Sequence, residues 1–295
     1  MRTVLVTGDN GLVGCHVVSA LKKKVRVIGL SRTHEKNLDY ETIDFDLTKD
    51  VTPSISDIDT IIHLAADTEC KDEKSAFKTN VIGTEKILKL AKRNNVKSFI
   101  YASTGGIYGF KENKLKETDK PNPHNTYSET KYIGECLCKE YAKYFPITIL
   151  RYFFPYGAAS NNLRLINRLI AKVKNGEAIE LNVYGKPIIN PVFIEDVVDA
   201  TIKAIKTKSN FNIFNISGDE EVTILQLVKI VESVLHTTAN IVFNNNVSKN
   251  MIGDNSKAKK ILGWKPKTRL EDGIKKLVKQ QDSTCLQESP RRSKT

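Results

Sequence analysis

From Thr3 to Tyr152, short β-branched runs alternate with amphipathic stretches of helical period, and that alternation leaves few folds open. Strands read at Thr3–Thr7, Val25–Leu30, Thr60–Ala65, Ser98–Ser103 and Ile147–Tyr152, with a shorter one at Ile43–Asp46. Helices read at Leu12–Lys23, Lys74–Arg93 and Ser128–Tyr144. Strands separated by helices pair in parallel, so the expected fold is α/β: a Rossmann-type, doubly wound parallel sheet with helices on both faces.

After Pro155 the rhythm loosens into a helix around Leu163–Lys174, a strand at Ile179–Val183, a return through Val192–Ile194, and helices near Glu195–Ile205 and Ile224–Leu235. The spacing predicts a first domain over 1–155 with a return segment at 187–217. A smaller lobe over 156–281 would cover the carboxyl edge of the sheet, and the polar 282–295 would form a frayed end. The 295 residues suffice for such a core. No apolar run approaches the roughly 20 residues that span a bilayer, and no room for a signal peptide precedes Thr3, so the cytoplasm is the expected compartment. Five scattered cysteines read as free thiols, neither disulfides nor metal ligands. The net charge of +12 is mainly lysine spread along helices, which reads as a solvated surface or as attraction for a phosphorylated ligand rather than as a nucleic-acid motif.

The first strand runs into Thr7-Gly8-Asp9-Asn10-Gly11-Leu12-Val13-Gly14, which opens directly into a helix. Glycines let backbone approach a pyrophosphate, and the free amides of a helix start hold the anion. Gly8, Asn10, Gly11, Leu12, Val13 and Gly14 are therefore cofactor candidates. A carboxylate at the end of the second strand would accept the ribose hydroxyls of NAD, but Ser31 and Arg32 stand there. A guanidinium can clamp a 2′-phosphate and a hydroxyl can add a donor, so the cofactor is NAD or NADP with a lean toward NADP.

Tyr127 and Lys131 lie four apart and share a helix face. Such a pair arises about once by chance in this composition, so its placement carries the weight. Thr126 and Glu129 suggest a capping box that puts the pair on a first turn near the sheet's carboxyl edge. Free tyrosine has a pKa near 10, and a cation about 4 Å away can supply most of the roughly 4 kcal/mol needed to bring it near neutrality. Before the helix, Tyr101–Gly109 ends a strand in hydroxyls, one of which can hold a substrate oxygen.

Taken together, these residues resemble the extended short-chain dehydrogenase/reductase family, in its NAD(P)-dependent epimerase/dehydratase branch. The likeness runs from Thr3 to about Leu277. It includes Thr7–Gly14, Asp46-Leu47 (similar to an adenine-contacting pair), His63-Leu64-Ala65-Ala66, Asn80 with Gly83-Thr84, and Ser103-Thr104. Further on are Arg151–Gly157, Phe193–Val197 and Leu262–Pro266. The resemblance implies Thr104, Tyr127 and Lys131 as catalytic residues. It adds Asp46, Leu47, Leu64, Ala65, Ala66, Asn80, Ala102, Ser103 and Phe153 to the cofactor pocket, where Tyr127 and Lys131 also belong. It also implies a nucleotide-sugar substrate and a homodimer built from the Lys74–Arg93 helix and the Tyr127 helix.

Departures from the family narrow the chemistry. Gly105-Gly106 stand where dehydratases carry an acid pair, and Phe154 replaces an asparagine that contacts the nucleotide sugar. Ile188 and Ile189 stand where a phosphate-binding arginine is usual; Arg164 and Arg168 are the candidate substitutes. His63 and Cys15 read as packing residues. The leading expectation is an epimerase that transiently oxidises a sugar hydroxyl at C4. An NADPH-dependent reductase of a 4-keto nucleotide sugar, and a non-catalytic NAD(P)-binding sensor or scaffold, stay open.

Overall fold

The computed structural model describes residues 2–34, 37–49, 53–158, 164–207 and 209–288. Seven parallel strands form the central sheet: β1 (Thr3–Thr7), β2 (Arg26–Ser31), β3 (Glu41–Asp44), β4 (Thr60–His63), β5 (Ser98–Thr104), β6 (Ile147–Tyr152) and β11 (Phe211–Ile216). Their order across the sheet is β11-β6-β5-β4-β1-β2-β3. Side-chain alternation distributes the core. Val4 and Val6 of β1 join one apolar cluster and Leu5 the other; Ile100 of β5 faces opposite to Phe99 and Tyr101. The first cluster packs against α1 (Leu12–Leu21) and α6 (Ile194–Ala204), the second against α3 (Gly83–Arg93) and α4 (Thr126–Tyr141).

The expected helix at Lys74–Arg93 is three segments. Asp72 caps α2 (Glu73–Phe77), a π turn follows at Lys78–Ile82, and α3 completes it. The expected Thr126/Glu129 capping box is replaced by Asn125, whose side chain accepts from the Ser128 amide at 2.8 Å. Asn125 has extended backbone and a short reach to that amide, while Thr126 is already helical and its hydroxyl points to Glu73. The edge strand β11 falls within the 187–217 return segment, where the sequence reading placed no strand over 211–216.

Beyond β6 the smaller lobe is built from two-stranded pairs: β7 (Pro155–Tyr156) with β10 (Val192–Phe193), β8 (Ala178–Leu181) with β13 (Asn240–Phe243), and β9 (Ile188–Ile189) with β12 (Val222–Thr223). Helices α5 (Leu165–Lys174) and α7 (Ile224–Leu235) complete it; Leu163, where the sequence reading began α5, lies outside the described residues. Trp264 Nε1 donates to the Asp196 carbonyl at 2.9 Å, and the Asp196 carboxylate accepts from the amides of Lys267 and Thr268. That lock joins the two motifs Phe193–Val197 and Leu262–Pro266 at the start of α6. The last helix, α8 (Leu270–Glu288), runs into the segment expected to fray; residues 289–295 lie outside the described part.

Candidate active site

Strand order reverses direction between β1 and β4, and open α/β sheets bind ligands at that switch, outside the carboxyl ends of the strands. Gly8 takes φ +67°, and a Cβ there would lie 2.8 Å from the Ala65 backbone, so the loops after β1 and β4 approach closely. Gly14 is tighter: its Cβ would stand 2.1 Å from the Gly8 carbonyl. Gly11 precedes α1 without a side-chain cap, and no acid occupies the first turn through Leu12, Val13 and Gly14. A helix N-terminus with uncapped amides and a backbone no side chain obstructs is what a pyrophosphate requires, so these residues fit a dinucleotide.

Leu64, Ala65 and Ala66 form the opposite lip, all partly exposed. The Ala65 amide donates to Thr7 Oγ1. Thr7 in turn bonds buried His63 Nδ1 at 2.7 Å. His63 Nε2 faces Thr84 Oγ1 at 3.0 Å, and that hydroxyl donates to the Asn80 carbonyl. The chain fixes the ring as the Nε2–H tautomer, and burial holds its pKa down at about 3. Asn80, in the π turn, spends its amide on both backbone groups of Asp67 and on Thr130 Oγ1, so it clamps the 65–70 loop to α4. Asp46 accepts from Thr48, which keeps its carboxyl below the ordinary range, and buried Leu47 packs where a Cβ on Gly83 would lie.

On the far side of the crevice, Thr104 ends β5 and its Oγ1 accepts from the Gly106 amide at 3.1 Å. Among the described residues no group accepts its own proton, so it is available to a ligand. A Cβ on Gly106 would meet Ser128 Oγ at 2.7 Å and Thr104 Oγ1 at 3.4 Å, so glycine brings the end of β5 against the first turn of α4, where Tyr127 sits. Lys131, one turn on, is buried with its Nζ 4.0 Å from the centre of the Tyr101 ring. Burial lowers its pKa to about 8, although Cys138 and Glu135 oppose the shift.

The sequence reading has Lys131 sharpening the phenol, but within the protein alone burial dominates and raises the Tyr127 pKa. Arg164 works against that rise and Cys70 adds to it. Arg164, immediately before α5, is thus the one of the two candidate arginines whose charge bears on the phenol; Arg168 is exposed. Phe154, at φ +44°, turns the chain out of β6 and is partly buried.

Three candidates have other work. Ser103 donates to Glu135 Oε1 at 2.5 Å and lies buried beside the Glu135–Arg151 pair, which explains why Thr104 is the hydroxyl left over. Phe153 is 1% exposed and packs under Gly105 and Gly253, in the cluster of Ile107, Tyr108, Leu115 and Met251, so it supports the cradle from below. Ser31 is buried and donates to Asp9 Oδ1 at 2.5 Å, so it is not the free donor the sequence suggests. Ala102 lines β5 and is partly exposed, while Arg32 is exposed. Asp9, Glu135 and Arg151 received no site role from the sequence. For Asp9 the available signal was a charged residue inside a glycine turn.

A crevice of this kind on a doubly wound sheet defines a dinucleotide-dependent enzyme. The chain belongs to the NAD dependent epimerase/dehydratase family, whose pattern matches residues 4–217. It is 29% identical over 92% of its length to an uncharacterized UDP-glucose epimerase of Bacillus subtilis, 95% of which is covered. It is 30% identical over 94% of its length to UDP-glucuronic acid decarboxylase 2 of Arabidopsis thaliana, 67% of which is covered. Among solved structures, the UDP-glucuronic acid 4-epimerase of Bacillus cereus in complex with UDP-glucuronic acid and NAD superposes with a TM-score of 0.85 at 27% identity, covering 96% of this chain and 100% of that one.

Proposed function

We propose that this enzyme is an epimerase of a nucleotide sugar, acting through transient oxidation of a sugar hydroxyl at C4. The observation that carries the reading is the meeting of Thr104 and the Tyr127 turn at Gly106 above buried Lys131, with Gly105-Gly106 offering no side-chain acid or base for elimination. Thr104 donates to the sugar oxygen, Tyr127 takes its proton, and the Lys131 ammonium lowers the cost of the phenolate. The dinucleotide, held by Gly8–Gly14, supplies the hydride acceptor and donor. Relatives named for activity on UDP-sugars support a nucleotide-sugar substrate.

The same reading includes a homodimer. Phe77 and Ile82 on the α2–α3 helix, and Ile133 on α4, are large apolar residues left exposed on the two helices expected to form a bundle. Incubation with a panel of UDP-, dTDP-, GDP- and CDP-sugars, followed by NMR, tests the activity. The expected result is an equilibrium pair of C4 epimers with no net change in cofactor and loss of turnover by at least about a hundredfold in Tyr127→Phe. Stoichiometric consumption of NADPH would make it a reductase instead. Dinucleotide binding without turnover of any sugar would leave a sensor or scaffold.

A further inference from the structure

Thr104 is slung between two tethers that reach the same buried ion pair. On one side Ser103, which lies beside Arg151 in the sheet, donates from its Oγ to Glu135 Oε1 at 2.5 Å. On the other, the short turn Gly105–Tyr108 ends in wholly buried Tyr108, whose hydroxyl accepts from Arg151 Nη1 at 2.5 Å. Glu135 and Arg151 are paired with each other. Glu135 belongs to α4, one turn beyond Lys131 and a second beyond Tyr127, so one ion pair holds both the end of β5 and the helix that carries the phenol.

Every proton in this network has a fixed direction. Arginine has donors only, so the Tyr108 hydroxyl accepts from it and must give its own proton elsewhere. Asn215 Oδ1 takes that proton at 2.9 Å, and Asn215 Nδ2 donates to the Leu115 carbonyl at 2.8 Å. Burial pushes the Tyr108 pKa up to about 12, so the phenol keeps the proton it donates. Between the tethers Gly105 rests on Phe153: a Cβ there would stand 2.5 Å from Phe153 Cε1. The segment Ser103–Tyr108 is thus held at both ends and from below, and the Thr104 proton is the one that none of these bonds consumes.

We propose that the Glu135–Arg151 pair, acting through Ser103 and Tyr108, sets where the Thr104 hydroxyl stands relative to the Tyr127 phenol. Ser103 and Tyr108 are positioning residues. The inference rests on Thr104 and Tyr127 handling the substrate proton, and adds what aligns them. A displacement of about 1 Å costs a reaction far more than it costs binding spread over a whole ligand, so a cut tether shows in kcat and not in KM.

Steady-state kinetics of the full chain with the UDP-, dTDP-, GDP- and CDP-sugars of the panel above, set beside calorimetry with NADH, tests this. Tyr108→Phe is expected to lower kcat at least about tenfold while KM and the Kd for NADH stay within about twofold, and Ser103→Ala should do the same through the other tether. In a Thr104→Ala background, Tyr108→Phe should change kcat by less than about twofold, because the hydroxyl it aligns is gone. A bond with a structural role alone would lower kcat by the same factor in both backgrounds. That result overturns the proposal, as does an unchanged kcat in both single variants. If Tyr108→Phe does not fold, Ser103→Ala with and without Thr104→Ala decides. Binding of NADH by wild type without turnover of any sugar would overturn the proton chemistry itself, and this inference with it.

Discussion

Arg151 grips Glu135 through two hydrogen bonds, Nε to Oε1 at 2.9 Å and Nη2 to Oε2 at 2.6 Å, with both side chains buried below the end of β5. The pair joins β6 to α4 one turn beyond Lys131, and Ser103 and Tyr108 supply or accept further bonds. Removing one partner leaves a buried charge without compensation, which costs about 3–5 kcal/mol. Glu135→Ala and Arg151→Ala should each lose stability of that order in urea denaturation. The double variant Glu135→Leu/Arg151→Met should lose less than the sum of the two.

Gly14 is the tightest point of the cradle. A methyl group there meets the backbone of Gly8 and Asp9, not a flexible side chain, so the loop must shift. Gly14→Ala should cost about 1–3 kcal/mol of stability. It should also weaken dinucleotide binding by at least about tenfold in calorimetry. Unchanged binding would show that the anion is held elsewhere.

Lys131 gives a pH signature whose sign follows from its lowered pKa. Between about 8 and about 10.5 the unfolded chain keeps a proton that the folded chain has released, so stability attributable to this group rises with pH across that window. Relative to Lys131→Met, wild type should therefore gain up to about 3 kcal/mol from pH 8 to 10.5 in urea denaturation. Catalysis should move the opposite way: turnover should fall above about pH 8 as the ammonium is lost. A flat stability difference would mean that Lys131 titrates near its ordinary value.

If α2–α3 and α4 form a dimer interface, Phe77→Lys/Ile133→Lys should sediment as a monomer with native circular dichroism, while wild type sediments as a dimer. Both residues are exposed in the single chain, at 43% and 38%, so the substitutions should cost it less than about 0.5 kcal/mol. A monomeric wild type would remove the bundle from the proposal.

Much of this was legible along the chain. Alternating strand and helix periods dictated the parallel sheet, because a strand buried on both faces and a helix buried on one leave distinct local patterns. The glycine turn and the Tyr127/Lys131 spacing were local too. Harder to read were Phe211–Ile216, an edge strand whose partner β6 lies some 60 residues earlier, and the cap at Asn125, which competed with an equally plausible Thr126.

The sequence by itself determined the layered fold and marked the glycine turn and the residues proposed to hold a dinucleotide and carry the proton chemistry, since each is encoded in neighbours a few positions apart. Only the tertiary structure decided how the polar groups are spent. Ser103 belongs to Glu135, Asn80 to Asp67, Phe153 to the core and Ser31 to Asp9. The reason is physical: a hydroxyl or amide has few hydrogen bonds to give, and a buried one bonds whatever the fold brings within about 3 Å, however distant in the chain.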